Sequence, residues 1–229
     1  HASTEGVTKY ISTCASGYLM QKELEYLGQA ISNPARPYTA ILGGAKISGK
    51  IDVIQNLLPK VDNLIIGGGM VFTFFKAMGY EIGTSLLEEE KVELAKQTLD
   101  AAKAQNKKIY LPVDIVAAPE FKNEAPATIV KASAIPKDQM GLDIGPETIK
   151  QFKDIILNSK TVVWNGPMGV FEFDNYSKGT DEIAAALAEA TANGAVTVVG
   201  GGDSAAAIKK AGLDEKVSHV STGGGASLE

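Results

Sequence analysis

Three glycine triplets, each directly after a short run of apolar residues, constrain the fold of this chain more than any other feature. They occupy residues 67–69, 200–202 and 223–225. The clearest one follows Val-Thr-Val-Val at residues 196–199 and precedes Asp203, Ser204 and three alanines. This order predicts a strand, a tight turn and the start of a helix. Glycines in such a turn let backbone N–H groups approach an anion, and the helix N-terminus adds partial positive charge.

Asp203 has two interpretations. Its carboxylate could hold a magnesium ion on a bound phosphate, because Mg²⁺ is commonly held by one or two carboxylates together with phosphate oxygens. It could also be an ordinary N-cap of the helix that follows. A single glycine turn would favour the N-cap, whereas the recurrence of the triplet favours the ligand site.

Strand-like and helix-like segments alternate along the whole chain. The strands are predicted at residues 38–42, 64–66, 108–113, 161–164, 196–199 and 217–220, and residues 114–134 as short strands or an irregular excursion. Helical spacing is present after residue 16, from residue 51 to about residue 59, and around residues 70–75, 88–103, 146–156 and 178–192. Short strands that are apolar on both faces are typical of a parallel sheet covered by helices on both sides. The predicted fold class is α/β, a Rossmann-like three-layer sandwich with a parallel sheet of about six strands.

Five glycine-containing loops follow the predicted strands: residues 43–46, 67–69, 165–169, 200–203 and 221–225. In open parallel sheets, ligands bind beyond the carboxyl ends of the strands. The five loops are therefore expected at one edge of the sheet, where they would form a binding site for an anion.

Lysines are the predicted cationic part of that site, because Arg36 is the only arginine of the chain. Residues 44–50 fit the Walker pattern except that Ile51 stands where a Ser or Thr would ligate magnesium. A Walker P-loop is therefore not predicted. Lys46 and Lys50 are one helical turn apart, so that both amines could face one anionic ligand. The alternative is a plain strand–turn–helix junction with a solvated Lys50.

The segment Asn-Gly-Pro-Met-Gly-Val-Phe-Glu, residues 165–172, also has two interpretations. It could be a rigid turn with Phe171 in the core and Glu172 in solvent. It could instead place Asn165 on a phosphate, Val170 against a base and Glu172 on sugar hydroxyls. The residues alone do not decide between the two.

Several function classes are not supported by the composition. His1 and His219 are the only histidines and Cys14 the only cysteine, so metal clusters, hydrolytic triads and nucleophilic catalysis have no candidates. The net charge of −5 with scattered cations argues against nucleic acid, and no apolar run approaches about 20 residues, so no membrane segment is predicted. The first residues do not have the pattern of a signal peptide, and a cytoplasmic location is expected.

Phosphoryl transfer to an ionised phosphate remains open, since it needs positioning and charge neutralisation rather than a base.

Seven segments, in this order, resemble the C-terminal, nucleotide-binding half of phosphoglycerate kinases: residues 43–47, 50–51, 67–70, 141–146, 164–172, 200–204 and 221–227. The resemblance extends over nearly the whole chain from about Tyr18. It implies a monomeric, two-domain glycolytic enzyme that reversibly transfers the acyl phosphate of 1,3-bisphosphoglycerate to Mg-ADP. It also implies that 3-phosphoglycerate and 1,3-bisphosphoglycerate bind to an N-terminal domain, of which residues 1–15 would be the remnant and hinge.

The resemblance also implies roles for individual residues. Lys46 would stabilise the phosphoryl group in transfer, together with the amides of Gly223, Gly224 and Gly225. Asp203 would hold Mg²⁺, and Glu172 the ribose. Adenine would be enclosed by Leu86, Gly141, Leu142, Pro167 and Val170. The other nucleotide contacts would be made by Gly44, Ala45, Lys50, Gly67, Gly68, Asn165, Gly169, Gly201, Gly202 and Ser204.

Residues 16–229 are thus predicted to be one nucleotide-binding domain, a piece of a longer polypeptide that binds ADP or ATP but is nearly inactive in transfer. Two other functions are alternatives. A non-catalytic nucleotide-binding module would bind nucleotide without any transfer. A Rossmann oxidoreductase domain requires a G-x-G-x-x-G sequence after the first strand, which the chain does not contain.

Overall fold

The computed structural model describes residues 6–15, 17, 18, 21, 23 and 33–221. Most of the helix predicted after residue 16 lies outside the described residues, as do Gly223, Gly224 and Gly225. The elements are, in chain order, β1 (Tyr38–Leu42), α1 (Ile51–Leu57), β2 (Asn63–Ile66), α2 (Val71–Ala77), β3 (Glu81–Ile82), α3 (Val92–Ala104), β4 (Lys108–Tyr110), β5 (Asp114–Ala118), β6 (Thr128–Lys131), β7 (Ala134–Ile135), β8 (Met140–Ile144), α4 (Pro146–Leu157), β9 (Thr161–Asn165), α5 (Lys178–Ala192), β10 (Val196–Gly200), α6 (Gly202–Lys210) and β11 (His219–Val220).

The central sheet has six parallel strands in the order β11-β10-β9-β1-β2-β4. Strands β1 and β9 lie in the middle and are buried at every position. In the register, Leu42 is opposite both Ile66 and Asn165, so that β1, β2 and β9 end level with one another. The predicted α/β class and the parallel sheet of six strands are confirmed.

Alternate residues of the central strands point to opposite faces of the sheet, and each face carries its own core. Ile41 and Trp164 belong to one core, with apolar residues of α4, α5 and α6. Leu42 and Leu64 belong to the other core, with residues of α1, α2 and α3. The predicted three layers are therefore present. Burying one such side chain stabilises the fold by about 1.5–3 kcal/mol.

A second, smaller sheet departs from the sequence prediction. Strands β6, β5 and β8 are antiparallel, and β3 pairs with β7 in a separate two-stranded ladder. The short strands expected within residues 114–134 are present, but the antiparallel sheet and strand β8 were not predicted. The sequence of β8, Met-Gly-Leu-Asp-Ile, alternates apolar residues with a glycine and a buried aspartate, but glycine and aspartate are both depleted in strands and weaken the strand signal. Two predicted strands are also shorter than expected, since β4 ends at Tyr110 and β11 has two residues.

No helix within the described part of the chain is both long enough and apolar enough to span a lipid bilayer.

Candidate functional site

The loops after β1, β2 and β9 meet at the carboxyl edge of the central sheet and are joined through their backbones. The N–H of Gly43 donates to the carbonyl of Asn165 at 2.9 Å, and that of Gly44 to Pro167 at 3.0 Å. The N–H of Gly68 donates to the carbonyl of Met168, also at 3.0 Å. Three of the predicted glycine loops are thus in direct contact.

Close packing between loops explains several of these glycines. A Cβ atom on Gly43 would lie 2.1 Å from the carbonyl oxygen of Pro167, and one on Gly166 would lie 2.2 Å from that of Gly43. On Gly68 it would lie 2.5 Å from the backbone nitrogen of Gly44. At these positions the missing side chain makes room for a neighbouring loop. Gly44 is different, because a Cβ there would meet nothing within 4 Å.

A cavity of about 490 Å³ opens between these loops and the small antiparallel sheet. Many residues that the sequence predicted as nucleotide contacts line it: Gly44, Ala45, Gly68, Leu86, Gly141, Leu142, Pro167, Gly169, Val170, Glu172 and Asp203. The structure therefore brings the predicted adenine wall, the predicted ribose contact and the predicted magnesium ligand to one cavity.

Other residues of the cavity were not predicted as site residues: Gly69, Phe72, Thr84, Ile115, Phe121, Met140, Asp143, Ile144 and Met168. Most of them are apolar, and they make this part of the cavity suited to a flat apolar group such as a nucleobase. Ile115 lies in β5, and Met140 and Asp143 lie in β8. The sequence does not predict them because the antiparallel pairing of β5 and β8 has no local pattern, although residues 141–146 are one of the segments that carry the family resemblance.

A β-bulge sets the position of Leu142 in this wall. Val116 is opposite Asp143 and Ala117 is opposite Gly141, so that Leu142 is the extra residue between two paired positions. A bulge interrupts the alternation of side chains, and Leu142 and Asp143 consequently both line the cavity. The carbonyl of Leu142 accepts the N–H of Val170 at 2.8 Å, which joins the small sheet to the loop after β9.

Asp203 marks the polar end of the cavity, and its charge acts on Lys50, which lies behind the lining next to Asn165. The Lys50 ammonium donates to Oδ1 of buried Asn165 at 2.5 Å. Desolvation lowers the pKa of Lys50, and the negative charge of Asp203 acts in the opposite direction. The Nδ2 atom of Asn165 is buried without a hydrogen-bond partner among the described residues. A buried amide without an acceptor is costly, so an acceptor supplied by a ligand would stabilise this end.

Asp203 lies in the first turn of α6 and is exposed to solvent. The N-cap of α6 is Gly201, with φ of 87°, so Asp203 is not the N-cap that the alternative interpretation required. Within the described residues, no three His, Cys, Asp or Glu side chains are grouped so that they could hold a metal. One free carboxylate at the end of a cavity fits a magnesium ion whose other ligands are phosphate oxygens and water.

The prediction that Lys46 and Lys50 lie one turn apart on the same helix is wrong. Helix α1 begins at Ile51, and Lys50 is its N-cap. The preceding residues form a turn in which the N–H of Lys50 donates to the carbonyl of Ile47 at 2.8 Å. The two lysines therefore do not share a helix face, and only Lys50 is half-buried, whereas Lys46 is exposed.

Glu88, the first residue of the segment predicted as helical at 88–103, lies beside the loop that carries Lys46. Its carboxylate accepts the N–H of Ser48 at 3.1 Å. Partial burial would raise the pKa of Glu88, but hydrogen bonds from Ser48 and Ile47 and the charge of Lys46 together lower it. Glu88 thus holds this loop against the segment that contains Leu86.

Ser204 and Gly67 are hidden from the cavity. The Ser204 hydroxyl is fully buried and accepts the N–H of Gly166 at 2.5 Å, which orients the loop after β9. A Cβ atom on Gly67 would lie 2.5 Å from the sulfur of Met168. Gly201 and Gly202 lie at the start of α6, and Gly202 is exposed. Direct phosphate contacts by these four residues remain predictions.

Comparison with known proteins gives one consistent family. The family model described as phosphoglycerate kinase matches residues 1–229. Relatives named phosphoglycerate kinase include one from Chloroherpeton thalassium, 61% identical over 229 residues. Another, from Triticum aestivum, is named as a cytosolic phosphoglycerate kinase and is 57% identical over 229 residues. The chain covers 58% of the length of the first relative and 57% of the second.

Solved structures agree with the sequence comparison. The structure of phosphoglycerate kinase from Coxiella burnetii superimposes with a TM-score of 0.94 at 43% identity, and the match covers 99% of this chain and 58% of that one. For the enzyme from Pyrococcus horikoshii the TM-score is 0.78 at 30% identity, with 93% of this chain and 53% of that one covered. Together with the match over the full length, these similarities show that the chain belongs to the phosphoglycerate kinase family.

Proposed function

We propose that this chain is the adenine-nucleotide-binding half of a phosphoglycerate kinase. The observation that carries the proposal is the cavity at the carboxyl edge of the sheet, which is apolar at one end and has Asp203 at the other. An adenine nucleotide has the same distribution of chemistry, since a flat base is joined through a sugar to a charged phosphate tail.

The base would lie against Leu142 and Val170, whose backbones are joined by a hydrogen bond. The ribose would meet the exposed carboxylate of Glu172, which can accept hydrogen bonds from two hydroxyl groups. The remaining adenine contacts would come from Leu86, Gly141 and Pro167, which line the same cavity.

The phosphates would lie near Lys50, Asn165 and the start of α6. Lys50 would contribute charge, and the free Nδ2–H of Asn165 would donate to a phosphate oxygen. Asp203 would hold Mg²⁺, which neutralises phosphate charge when bound. The exposed Lys46 would stabilise the phosphoryl group in transfer, together with Gly223, Gly224 and Gly225.

The activity proposed for the whole protein is reversible transfer of the acyl phosphate of 1,3-bisphosphoglycerate to Mg-ADP, giving 3-phosphoglycerate and ATP. The phosphoglycerate substrates would bind to the N-terminal domain, and the protein would act as a cytoplasmic monomer. Because the chain spans only 58% of a relative's length, we expect it to bind nucleotide by itself but to be nearly inactive in transfer.

Titration calorimetry with Mg-ADP tests the proposal. A folded chain should bind Mg-ADP with one-to-one stoichiometry and should not bind NADH. A folded chain that binds no adenine nucleotide would refute it. A coupled kinase assay with the N-terminal domain supplied as a second polypeptide then separates an enzyme half from a non-catalytic nucleotide-binding module.

A further inference from the structure

Asp143 is a buried carboxylate in the otherwise mostly apolar wall of the cavity, and the proposed function gives it no role. It is 4% exposed. Its Oδ2 accepts the N–H of Gly179 at 2.6 Å, and its Oδ1 accepts the N–H of Ile144 at 2.9 Å. Because both oxygens accept hydrogen bonds, the geometry suits the ionised carboxylate.

The carboxylate lies where three segments of the chain meet: strand β8, the loop after β9 and the start of α5. Asp143 belongs to β8, and Gly179 contributes one of the free N–H groups in the first turn of α5. A Cβ atom on Gly169 would lie 2.3 Å from Oδ1 of Asp143, and one on Gly179 would lie 2.2 Å from it. The carboxylate therefore fills the space between the loop after β9 and the start of α5.

We propose that Asp143 is a positioning residue that fixes the adenine-facing wall, formed by Leu142 and the 169–170 segment, through its bonds to α5. This inference rests on the proposed function, because it requires adenine to occupy the cavity. Asp143 does not itself have to touch the base. It holds the two peptide segments between which the base would lie.

Ionisation of Asp143 should then control how well the wall is ordered. Burial raises the pKa of Asp143 to about 7, although the bonds from Gly179 and Ile144 oppose this effect. Among the described residues, Asp181 on α5 is the charged group that acts on it, and its negative charge raises the pKa further. The facing position on β5 is Val116, which is uncharged. Protonation near neutral pH replaces charge-assisted hydrogen bonds by weaker neutral ones.

The test measures the affinity of the chain for adenosine from about pH 5.5 to about pH 8.5. Adenosine is the probe because it has no phosphate group that titrates in this range. We expect the wild-type affinity to rise about threefold as the pH increases through 7, as a moderate change in hydrogen-bond strength would produce. Asp143→Asn should bind more weakly and show no such pH dependence.

Asp181→Asn is the second variant, and it keeps the proposal testable if Asp143→Asn does not fold. It removes the negative charge that raises the pKa of Asp143 but leaves Asp143 and the cavity unchanged. The midpoint of the pH profile of adenosine binding should therefore move to lower pH. Asp100→Asn, an exposed acid on α3, is the matched control and should keep the wild-type profile. A purely structural role of Asp143 would predict no shift for Asp181→Asn.

Binding of Mg-ADP at pH 7 separates a failure of the Asp143 hypothesis from a failure of the proposed nucleotide-binding function. If the chain binds Mg-ADP and all variants have the wild-type adenosine profile, the role of Asp143 is refuted and the proposed function stands. If the folded chain binds neither Mg-ADP nor adenosine, the proposed function fails and the role of Asp143 fails with it.

Discussion

The two ends of the cavity are built in different ways. The polar end is formed by loops of the central parallel sheet, and there the backbones of Gly43, Gly68 and Gly166 pack against neighbouring loops. The apolar end is formed by the small antiparallel sheet, where the side chains of Leu142 and Met140 line the cavity. Backbone geometry thus shapes the polar end, and side-chain packing shapes the apolar end. Substitutions at the two ends should consequently differ in their effects on folding stability and on ligand affinity.

At the polar end, the largest expected effect comes from adding a side chain at Gly43. In Gly43→Val, Cβ would collide with the carbonyl oxygens of Pro167 and Gly166, which are backbone atoms and cannot move aside. We expect a loss of about 4 kcal/mol or more in the free energy of unfolding, measured in urea. Gly49→Val is the control, because a Cβ there meets nothing within 4 Å. Equal stabilities of the two variants would contradict the packing explanation.

At the apolar end, the buried charge of Asp143 should make stability depend on pH. Its pKa is about 7 in the folded chain against 3.8 for a free aspartate. Folding therefore favours the protonated form, and the resulting stability is fully present below about pH 4 and is lost as the pH rises to 7. The loss should be on the order of 4 kcal/mol. It is measured as the difference in unfolding free energy between the wild type and Asp143→Asn, since other groups cancel. A pH-independent difference would contradict the prediction.

Lys50→Met should affect phosphate binding and not base binding. The substitution removes an ammonium group that is half-buried at the polar end. Loss of one charge-assisted hydrogen bond corresponds to about a tenfold weaker affinity for Mg-ADP. The affinity for adenosine should stay within about twofold of the wild type. Calorimetry with both ligands gives the comparison, and an equal loss for the two would show that Lys50 does not distinguish the ends of the cavity.

Leu86→Ala should produce the smallest effect. Unlike Lys50→Met, it should weaken the binding of adenosine and of Mg-ADP equally. Leu86 is 58% exposed in the chain without ligand, so its truncation costs little folding stability. If it covers the base, the affinities for adenosine and for Mg-ADP should fall by the same factor, about threefold. Leu87→Ala, on the neighbouring residue that packs into the core of the small sheet, should instead lower the melting temperature. Unchanged adenosine binding in Leu86→Ala would remove Leu86 from the proposed site.

Periodicity and glycine placement predicted the central sheet and the position of its loops well. The helix at 178–192 was predicted with the bounds that the structure has, because its apolar positions follow a helical period. The argument from Lys46 and Lys50 failed because both lysines precede the helix, so helical spacing does not relate their side chains. Here the turn that ends at Lys50 delays the helix to Ile51.

The sequence by itself determined the layered α/β fold and the edge of the sheet at which the glycine loops meet, because alternating strand and helix patterns permit few arrangements. It also determined the family, through segments that occur in order along the chain. Only the tertiary structure decided which side chains face the cavity. The bulge at Leu142, the burial of Asp143 and the contact of Glu88 with Ser48 all depend on residues distant in sequence. Such contacts arise from packing between segments, and a local pattern carries no information about them.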